Sequence, residues 1–551
     1  MAWVKGTATN YRTMLDQLIQ IATSNHIDSA TIVAGGTGFA VDNIITFTDG
    51  TFTHAGKLRV TSVGGGGAIT GVIVEEGGAY TVNPDLTANP NWTVSPAGGS
   101  GATFDLTMNS EPWTVERRAQ EAVSATIANG GSGYAVGNNI TLAMTGGGIL
   151  GATGYGVAPV FQVATIGGGG AITSVTLVTA GHLERVPDVD TGTGGNQANV
   201  TGGAGSGAVL TVTYQNVAAS KEDVVVLSGP GESGTDQILC AFRTFQELDV
   251  SGLNTVRNWQ LLGLVEWNPA LALHAQNNIS IGLDPTTGAK LAGGGCFMVL
   301  KETDSRDIDF WMSVTNRRII LVCKVRTATT TFYPSMYVGF INPFETTNEN
   351  PYPLWIQGCT SRSNSWFGDT TIGRLSGLSD AYGISGHPNG PGQYRVNGVW
   401  TAFKNANCVD GGSPSRSADS DYTVGPAGLV SFIPPTDDQI TQLPANGLSF
   451  ESIHPATGVP GTTVRRLRPT INTGDDIRIL IPLSLLSTDN PSGNFIYLVH
   501  GEMDGCWWIS ASDPTLDLTS EDVQKVGADR YIVFQNGNQN QIFSYFCVKQ
   551  A

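Results

Sequence analysis

The first thirty residues carry one helical pattern of apolar positions. The apolar side chains recur three or four positions apart, which places them on one face of a helix; they are Tyr11, Met14, Leu15, Leu18, Ile21 and Ala22. Thr7 or Thr9 is suited to cap the start of this helix, and Asn25 and His26 end it. We therefore predict an N-terminal helix as the unit 1–29.

Beyond residue 29 the pattern is typical of β-structure. Short runs of Val, Ile, Thr and aromatic residues alternate with turns rich in Gly and Asn, and such runs form strands. Strand, turn and strand are predicted for 309–314 with 317–325 (followed by a strand at 332–341), for 495–500 with 506–511 around the turn 501–505, and for 530–535 with 541–548 around 536–538. The sequence predicts a mainly β protein.

A comparison of the chain with itself reveals a duplication. Residues 30–47 read ATIVAGGTGFAVDNIITF and residues 125–142 read ATIANGGSGYAVGNNITL, which agree at 11 of 18 positions. Two more pairs follow in the same order: VTSVGGGGAITGV at 60–72 with VATIGGGGAITSV at 163–175, and GSGATFDLTM at 99–108 with GSGAVLTVTY at 205–214. We predict two copies of one small Gly-rich β-module, 30–108 and 125–214, with the four-glycine runs at hairpin tips.

The remaining boundaries follow from composition. The charged stretch 109–124 is predicted to be a linker, either a short helix or an extended strap. Residues 215–551 hold 8 of 11 Trp, 9 of 14 Tyr and 15 of 20 Phe, so we expect the main packed domain there, β-sandwich-like and with long loops. Within it, 351–425 is rich in Pro, Gly, Ser and Asn and is predicted to be an irregular loop region.

Glycine and charge are unevenly distributed. The two modules contain 15 and 22 of the 71 glycines, and their only basic residues are Lys57, Arg59 and Arg185. A neutral surface of this kind favours packing into a larger assembly. The whole chain has 29 basic and 46 acidic residues, a net charge of -17, and its basic groups are scattered. Because phosphate binding needs clustered Lys and Arg, we expect no nucleic-acid partner.

Residues that could carry chemistry do not form a pattern. The seven Cys are widely spaced without a C-x-x-C pair, and the seven His are isolated, so we predict no disulfide scaffold, metal or cofactor. Asp188–Gly192 imitates only the start of a calcium loop. Carboxylates at 304, 307 and 309, or at 419 and 421, are open to a glycosidase interpretation, but acids are common in turns. We expect a protein that is not an enzyme.

Four aromatic residues of the irregular region leave two interpretations open. They are Trp355, Trp366, Tyr394 and Trp400. Aromatic rings stack on the apolar faces of sugars, so these residues could contact a glycan or a partner. The alternative is that they pack and hold the long loops in place. Trp507 and Trp508 are adjacent on a predicted strand, so one is expected in the core and the other at an interface.

Two resemblances point to one class of protein. The elements GGTGFAVDN at 35–43 and GGSGYAVGN at 130–138 resemble a small β-module found in structural proteins of tailed bacteriophages. The opening helix, together with VVVLSGPGESGTDQILCAFRTF at 224–245, FWMSVTNRRIILVCKV at 310–325, YVGFINPF at 337–344, YPLWIQG at 352–358 and the final RYIVFQNGNQ, is similar to phage virion proteins of the tail and baseplate. Against that pattern the two modules look inserted.

The resemblance implies a structural component of a phage virion, in its tail or baseplate, that is assembled in the host cytoplasm. Its expected partners are other tail or baseplate proteins and further copies of itself, arranged by the symmetry of the particle. The alternative is a host-surface glycan-binding module of the tail. No apolar stretch reaches the length of a membrane span, so we expect no membrane insertion.

Overall fold

The protein is mainly β in the computed structural model, and α1 is the one α-helix among the residues it describes. The structure describes residues 2–86, 91–109, 112–143, 148–149, 157–186, 197–218, 221–231, 237–248, 255–277, 279–280, 296–300, 307–326, 331–343, 354–358, 392–396, 399–402, 428–432, 480–489, 496–510, 519–527, 529–535 and 544–550. The mainly β fold class and the N-terminal helix predicted from the sequence are confirmed.

The first elements are β1 (Ala2–Ala8), α1 (Tyr11–Ala22), β2 (His26–Thr37), β3 (Ile44–Phe47), β4 (Thr51–His54), β5 (Lys57–Val63), β6 (Ile69–Glu76), β7 (Ala79–Val82), β8 (Trp92–Ser95) and β9 (Ser100–Asn109). They are followed by β10 (Thr114–Arg118), β11 (Gln120–Ser132), β12 (Asn139–Leu142), β13 (Gly148–Ile149), β14 (Val160–Ile166), β15 (Ile172–Thr179), β16 (Leu183–Arg185), β17 (Gln197–Thr201) and β18 (Ser206–Asn216). Short 3-10 turns lie at Gly65–Gly67, Gly168–Gly170 and Leu273–Ala275.

The later strands are β19 (Asp223–Gly229), β20 (Ile238–Leu248), β21 (Thr255–Leu264), β22 (Cys296–Leu300), β23 (Ile308–Val314), β24 (Arg318–Arg326), β25 (Thr331–Phe332), β26 (Ser335–Pro343), β27 (Leu354–Gln357), β28 (Gly392–Val396), β29 (Val399–Ala402) and β30 (Gly428–Phe432). The last are β31 (Leu480–Asp489), β32 (Ile496–Ser510), β33 (Val523–Val526), β34 (Asp529–Gln535) and β35 (Ser544–Lys549).

Two sheets form the main body. One has the path β1-β23-β24-β26-β32-β35-β34-β33, and the other has the order β10-β19-β20-β21-β22. The largest apolar core contains residues of both sheets, such as Phe310 and Phe242, together with the apolar face of α1, including Leu15. Both sheets therefore bury one face against the same helix-containing core, as in a sandwich.

Each glycine-rich module has an apolar core of its own. Phe47 and Phe104 lie in the core of residues 30–108, and Tyr134 and Phe161 lie in the core of residues 125–214. Each module is entered and left through paired antiparallel strands: His26 lies opposite Asn109, and Gln120 lies opposite Asn216. The chain therefore enters and leaves each module at neighbouring positions in space.

The helix is shorter than the unit 1–29. Residues 2–8 form strand β1, which pairs along its length with β23, because Val4 and its neighbours complete the edge of the main sheet. Thr7 is on this strand and Thr9 does not cap. The cap is Asn10, whose side-chain oxygen accepts from the backbone N–H groups of Arg12 and Thr13 at 2.9 and 2.8 Å.

The linker 109–124 contains strand and no helix in its described residues. Strand β10 pairs antiparallel with β19 of the main body, and β11 already begins at Gln120. Of the two alternatives for this stretch, the extended one is confirmed. Its charged side chains, including Arg117 and Arg118, have partners in the main body, which favours the extended conformation.

The prediction of a turn at 501–505 is wrong, because β32 runs unbroken from Ile496 to Ser510. Gly501, Glu502 and Met503 pair with β26, and Gly501 and Glu502 also pair with β31, which keeps these residues within the sheet. Glycine is required at position 501 by close packing, because a Cβ there would lie 2.3 Å from the carbonyl oxygen of Asn342. The strands at 309–325 and the pairing of the last two strands are as predicted.

Candidate functional site

A buried ion cluster fastens the helix, the linker strand and the main body to one another. Arg12 of α1 is 1% exposed and Asp223 of β19 is 0% exposed, and Arg12 Nη2 lies 2.6 Å from Asp223 Oδ2. Arg118 of β10 donates from Nε to the same carboxylate oxygen at 2.9 Å, and Asp16 pairs with both arginines. Burial raises the pKa of Asp223 and the two guanidinium groups lower it.

This cluster balances two acids against two bases inside the protein. Removing one partner would leave an uncompensated charge out of water, so the four side chains act as a unit. They belong to three elements: α1, the linker strand β10, and β19, the first strand of the main body after the second module. The cluster is therefore a fastening between parts of the chain.

A second polar group holds the root of module 2, which is the end of residues 125–214 that joins the main body; residues 30–108 are module 1. Glu121 accepts from Lys221 Nζ at 2.5 Å and from Gln215 Nε2 at 2.9 Å, which joins the first strand of the module to the segment that follows it. The His182 ring nitrogen Nε2 donates to the carbonyl oxygen of Glu222 at 2.6 Å. Glu184 pairs with Arg117 at 3.5 Å. These bonds orient module 2 relative to the main body.

The root of module 1 contacts the main body through backbone and charged groups. The Gly77 N–H donates to the Trp3 carbonyl oxygen at 3.1 Å, and Glu75 lies 3.7 Å from Arg530 of β34. His26, where the module begins, is 4% exposed, and its Nδ1 donates to the Gly78 carbonyl oxygen at 2.5 Å. Burial lowers the pKa of His26 from 6.5 to about 4.

The His26 position makes module 1 sensitive to acid. Between pH 6.5 and pH 4 the unfolded chain binds a proton at this ring and the folded chain does not, so stability falls as the pH falls. We expect a loss of about 2 kcal/mol between pH 7 and pH 5 from this group alone. Urea unfolding at both pH values measures it. The control is His26→Asn, whose amide takes the place of Nδ1 and does not titrate; an equal pH dependence in both proteins would contradict the assignment.

The outer end of each module is built in the same way. The tip of module 1 comprises residues 35–41 and 64–70, and the tip of module 2 comprises residues 130–136 and 167–173. In module 1 the Gly38 N–H donates to the Gly66 carbonyl oxygen at 2.9 Å; in module 2 the Gly133 N–H donates to that of Gly169 at 2.9 Å. Gly66 and Gly169 have φ angles of 68° and 69°. These parts of the two tips therefore have nearly the same backbone conformation.

The tips agree in sequence where their surroundings do not. Residues 64–70 and 167–173 are identical at all seven positions. The seven residues before them, 57–63 and 160–166, agree at one position, and the seven after them, 71–77 and 174–180, also agree at one. The loop between β5 and β6 is therefore identical to the loop between β14 and β15, although the strands on either side of the two loops differ.

Only part of this identity is required by the fold. Gly66 and Gly169 need glycine for their positive φ, and Ile69 and Ile172 are buried in the module cores. Gly65 and Gly168 lie outside the left-handed region, and a Cβ at either would meet no atom within 4 Å. The isolated chain gives no reason for glycine at these two positions.

Alanine substitutions at two neighbouring positions distinguish a glycine that the fold needs from one that it does not need. Gly168→Ala is expected to raise the free energy of unfolding by about 0.4–1 kcal/mol, because alanine reduces the freedom of the unfolded chain at a compatible site. Gly169→Ala is expected to lower it by about 1–2 kcal/mol, because φ there is +69°. Both sites are open, so only the backbone conformation differs. Chemical unfolding measures both, and equal effects would contradict the explanation.

The exposed surface of the tips is small and uncharged. None of the four tip segments contains Asp, Glu, Lys or Arg. Each presents one exposed valine beside the glycine turn, Val41 at 50% and Val136 at 61% exposure. Such a surface offers backbone groups and a little apolar area to whatever touches it.

Three of the four aromatic residues singled out from the sequence lie on the neighbouring strands β27, β28 and β29. Trp355 is 1% exposed, and its Nε1 donates to Gln357 Oε1 at 3.1 Å, so its ring packs in the core and is not available to stack on a sugar. Tyr394 lies opposite Trp355 on β28, and Trp400 lies opposite Arg395 on β29. Trp366 lies outside the described residues.

Two of the acidic candidates, Asp307 and Asp309, lie in the described residues. Asp309 lies on β23, where it accepts from Thr7 and pairs with Arg326 at 2.6 Å, while Asp307 is exposed just before that strand. Asp304, Asp419, Asp421 and the stretch 188–192 lie outside the described residues. Within the part of the chain that the structure describes, no three His, Cys, Asp or Glu side chains are grouped as metal ligands would be.

Comparisons with known proteins add no assignment. No family model matches the chain, and no curated protein matches it in sequence. Among the described residues, the one α-helix is too short to cross a bilayer.

The buried cluster was missed from the sequence, although one signal for it exists. Arg12 lies three residues before Leu15 and seven before Ile19, so it falls on the apolar face of the predicted helix. A charge in that position needs a buried partner. Its partner Asp223 is more than two hundred residues away, in a run of valines, and only the fold brings the two together.

Proposed function

We propose that the protein is a structural component of a tailed-bacteriophage particle, in its tail or baseplate, and that it acts by association with other proteins. The observation that carries this proposal is the arrangement of the two modules. Each has its own core and is fixed at its root to the main body, and each ends in an exposed, uncharged tip with the same backbone hydrogen bond. Such rigid, repeated surfaces are suited to holding an assembly.

The buried charges support the same proposal. The cluster around Asp223 and the group around Glu121 fix the directions in which module 2 leaves the main body. Rigid attachment lowers the entropy that an interface must overcome when it forms. The resemblance of the chain to tail and baseplate proteins supports a phage particle as the assembly to which it belongs.

Loss of the gene product tests the proposal directly. Phage that lack this chain are expected to accumulate incomplete particles, with infectivity restored by supplying the protein, while the purified protein does not bind host cells. The matched control is a chain with Trp400→Ala, which leaves both modules intact and is expected to complement. Complete particles formed without the chain, together with tight binding of the purified protein to host cells, would overturn this proposal in favour of glycan recognition.

A further inference from the structure

We propose that the attachment of module 1 to the main body is a pH-operated latch, which opens in acid before the core of the module or of the main body unfolds. Residues 77–79, where β6 leads into β7, form the latch segment; the ring of His26 lies on one side of it and the main body on the other. The inference goes beyond the proposed function, because it holds whatever assembly the chain belongs to.

The latch segment is held from both sides. On the side of β2, His26 Nδ1 donates to the Gly78 carbonyl oxygen at 2.5 Å. On the side of the main body, the Gly77 N–H donates to the carbonyl oxygen of Trp3 on β1 at 3.1 Å, and Ala79 is fully buried in the main apolar core. The His26 ring therefore supports the segment through which module 1 touches the main body.

The surroundings of the His26 ring disfavour a positive charge on it. The ring is almost completely buried, and its Nε2 makes no hydrogen bond with the described residues. The latch segment is closely packed, since a Cβ on Gly78 would lie 2.6 Å from the backbone nitrogen of Gly56. A proton on Nε2 would place a charge out of water, and water can reach that charge only if the latch segment moves away.

The charged groups around His26 do not offset this cost. Its pKa falls from 6.5 to about 4, chiefly through burial; the positive amino terminus also lowers it, whereas the carbonyl groups of Gly78 and Ile21 act in the opposite direction. Asp28, on the same strand, is exposed to solvent. The ring is therefore neutral in the closed latch at pH 5 to 7, and in that range it gains a proton when the latch opens.

His54 adds a second acid-sensitive contact to the same attachment. Its Nε2 lies 2.7 Å from Oε1 of Gln17 on α1, and its ring stands edge-on to Phe310 of β23, with 6.3 Å between the ring centroids. Burial lowers the pKa of His54, and the charge of Lys57, which also pairs with Glu76 at 2.7 Å, lowers it further. Protonation of His54 therefore favours separation of module 1 from α1 and β23.

Hydrogen exchange of the full-length protein at pH 7 and pH 5 tests the latch. Peptides covering 24–28 and 75–80 contain the amides of the root, such as the Gly77 N–H, while 102–106 lies in the core of module 1 and 319–323 in the main core. The root peptides are expected to show lower protection than the other two at both pH values. Their protection, corrected for intrinsic exchange, is expected to fall at least about twentyfold from pH 7 to pH 5, because the open latch binds a proton that the closed latch does not.

Two substitutions separate the effect of His26 from other effects of acid. In His26→Asn the amide can still donate to the Gly78 carbonyl oxygen but does not titrate, so the fall in protection is expected to shrink to the part that His54 contributes. His274→Asn is the matched control, because His274 is exposed in the main body, and it is expected to keep the whole fall. Root peptides that exchange together with both cores, keep their protection at pH 5, or lose it equally in His26→Asn would overturn the latch. The first two outcomes are measured on the unaltered protein, so they remain decisive if His26→Asn does not fold.

Discussion

Replacement of Asp223 by alanine is expected to lower the free energy of unfolding by about 3–5 kcal/mol, because it leaves buried charges without their partner. Arg12 is 1% exposed, and both Arg12 and Arg118 bind the same oxygen of Asp223. Denaturant unfolding followed by tryptophan fluorescence measures the loss. Trp259 is a suitable reporter, since it is buried in the main core and its Nε1 donates to the Tyr11 carbonyl oxygen at 2.8 Å.

An exposed ion pair provides the control for this experiment. Asp529 lies 2.9 Å from Lys549, and the two side chains are 44% and 29% exposed. Asp529→Ala is expected to change stability by less than about 1 kcal/mol, because water already screens that pair. If Asp223→Ala were as mild as Asp529→Ala, the cluster would not be the fastening described above. Asp223→Asn keeps the shape of the side chain and separates loss of charge from loss of volume.

Deletion of residues 125–214 is expected to leave the main body folded. In the structure Glu121 and Gln215 lie opposite each other on paired strands, so residues 122–124 would remain as a three-residue hairpin connection. Module 2 has its own core, which leaves with it. Circular dichroism and calorimetry should show β-structure and one cooperative transition that remains from the main body, shifted by a few degrees at most.

A longer deletion locates the boundary. Removing residues 114–214 also removes β10 and with it Arg118, a member of the buried ion cluster. This variant is expected to lose the cooperative transition, because one strand of the five-stranded sheet and a partner of Asp223 are missing. Two deletions that behave alike, whether both folded or both unfolded, would contradict the boundary between module and main body.

Local patterns predicted much of the fold. The spacing of Leu15 and Leu18 predicted the helix, apolar runs predicted the strands at 309–314 and 317–325, and the two four-glycine runs form the predicted hairpin tips. These elements depend on periodicity and turn chemistry, which a sequence displays directly.

Long-range packing decided what the sequence did not predict. Strand β1 exists because β23 offers it an edge, and Gly501 is extended because two strands hold it. The partners of Arg12 and the burial of Trp355 depend on segments far away in the chain. Only the structure distinguishes the glycines that the fold needs, such as Gly66 and Gly169 with their positive φ, from Gly65 and Gly168, where a Cβ would meet no atom.

The most direct test of the central claim is a cryo-electron microscopy reconstruction of the intact phage particle at a resolution that resolves β-sheets. The account predicts several symmetry-related copies of this chain around the tail axis, each with a large β-body and two small β-modules. Purified, infectious particles whose reconstruction and protein content lack this chain would contradict it.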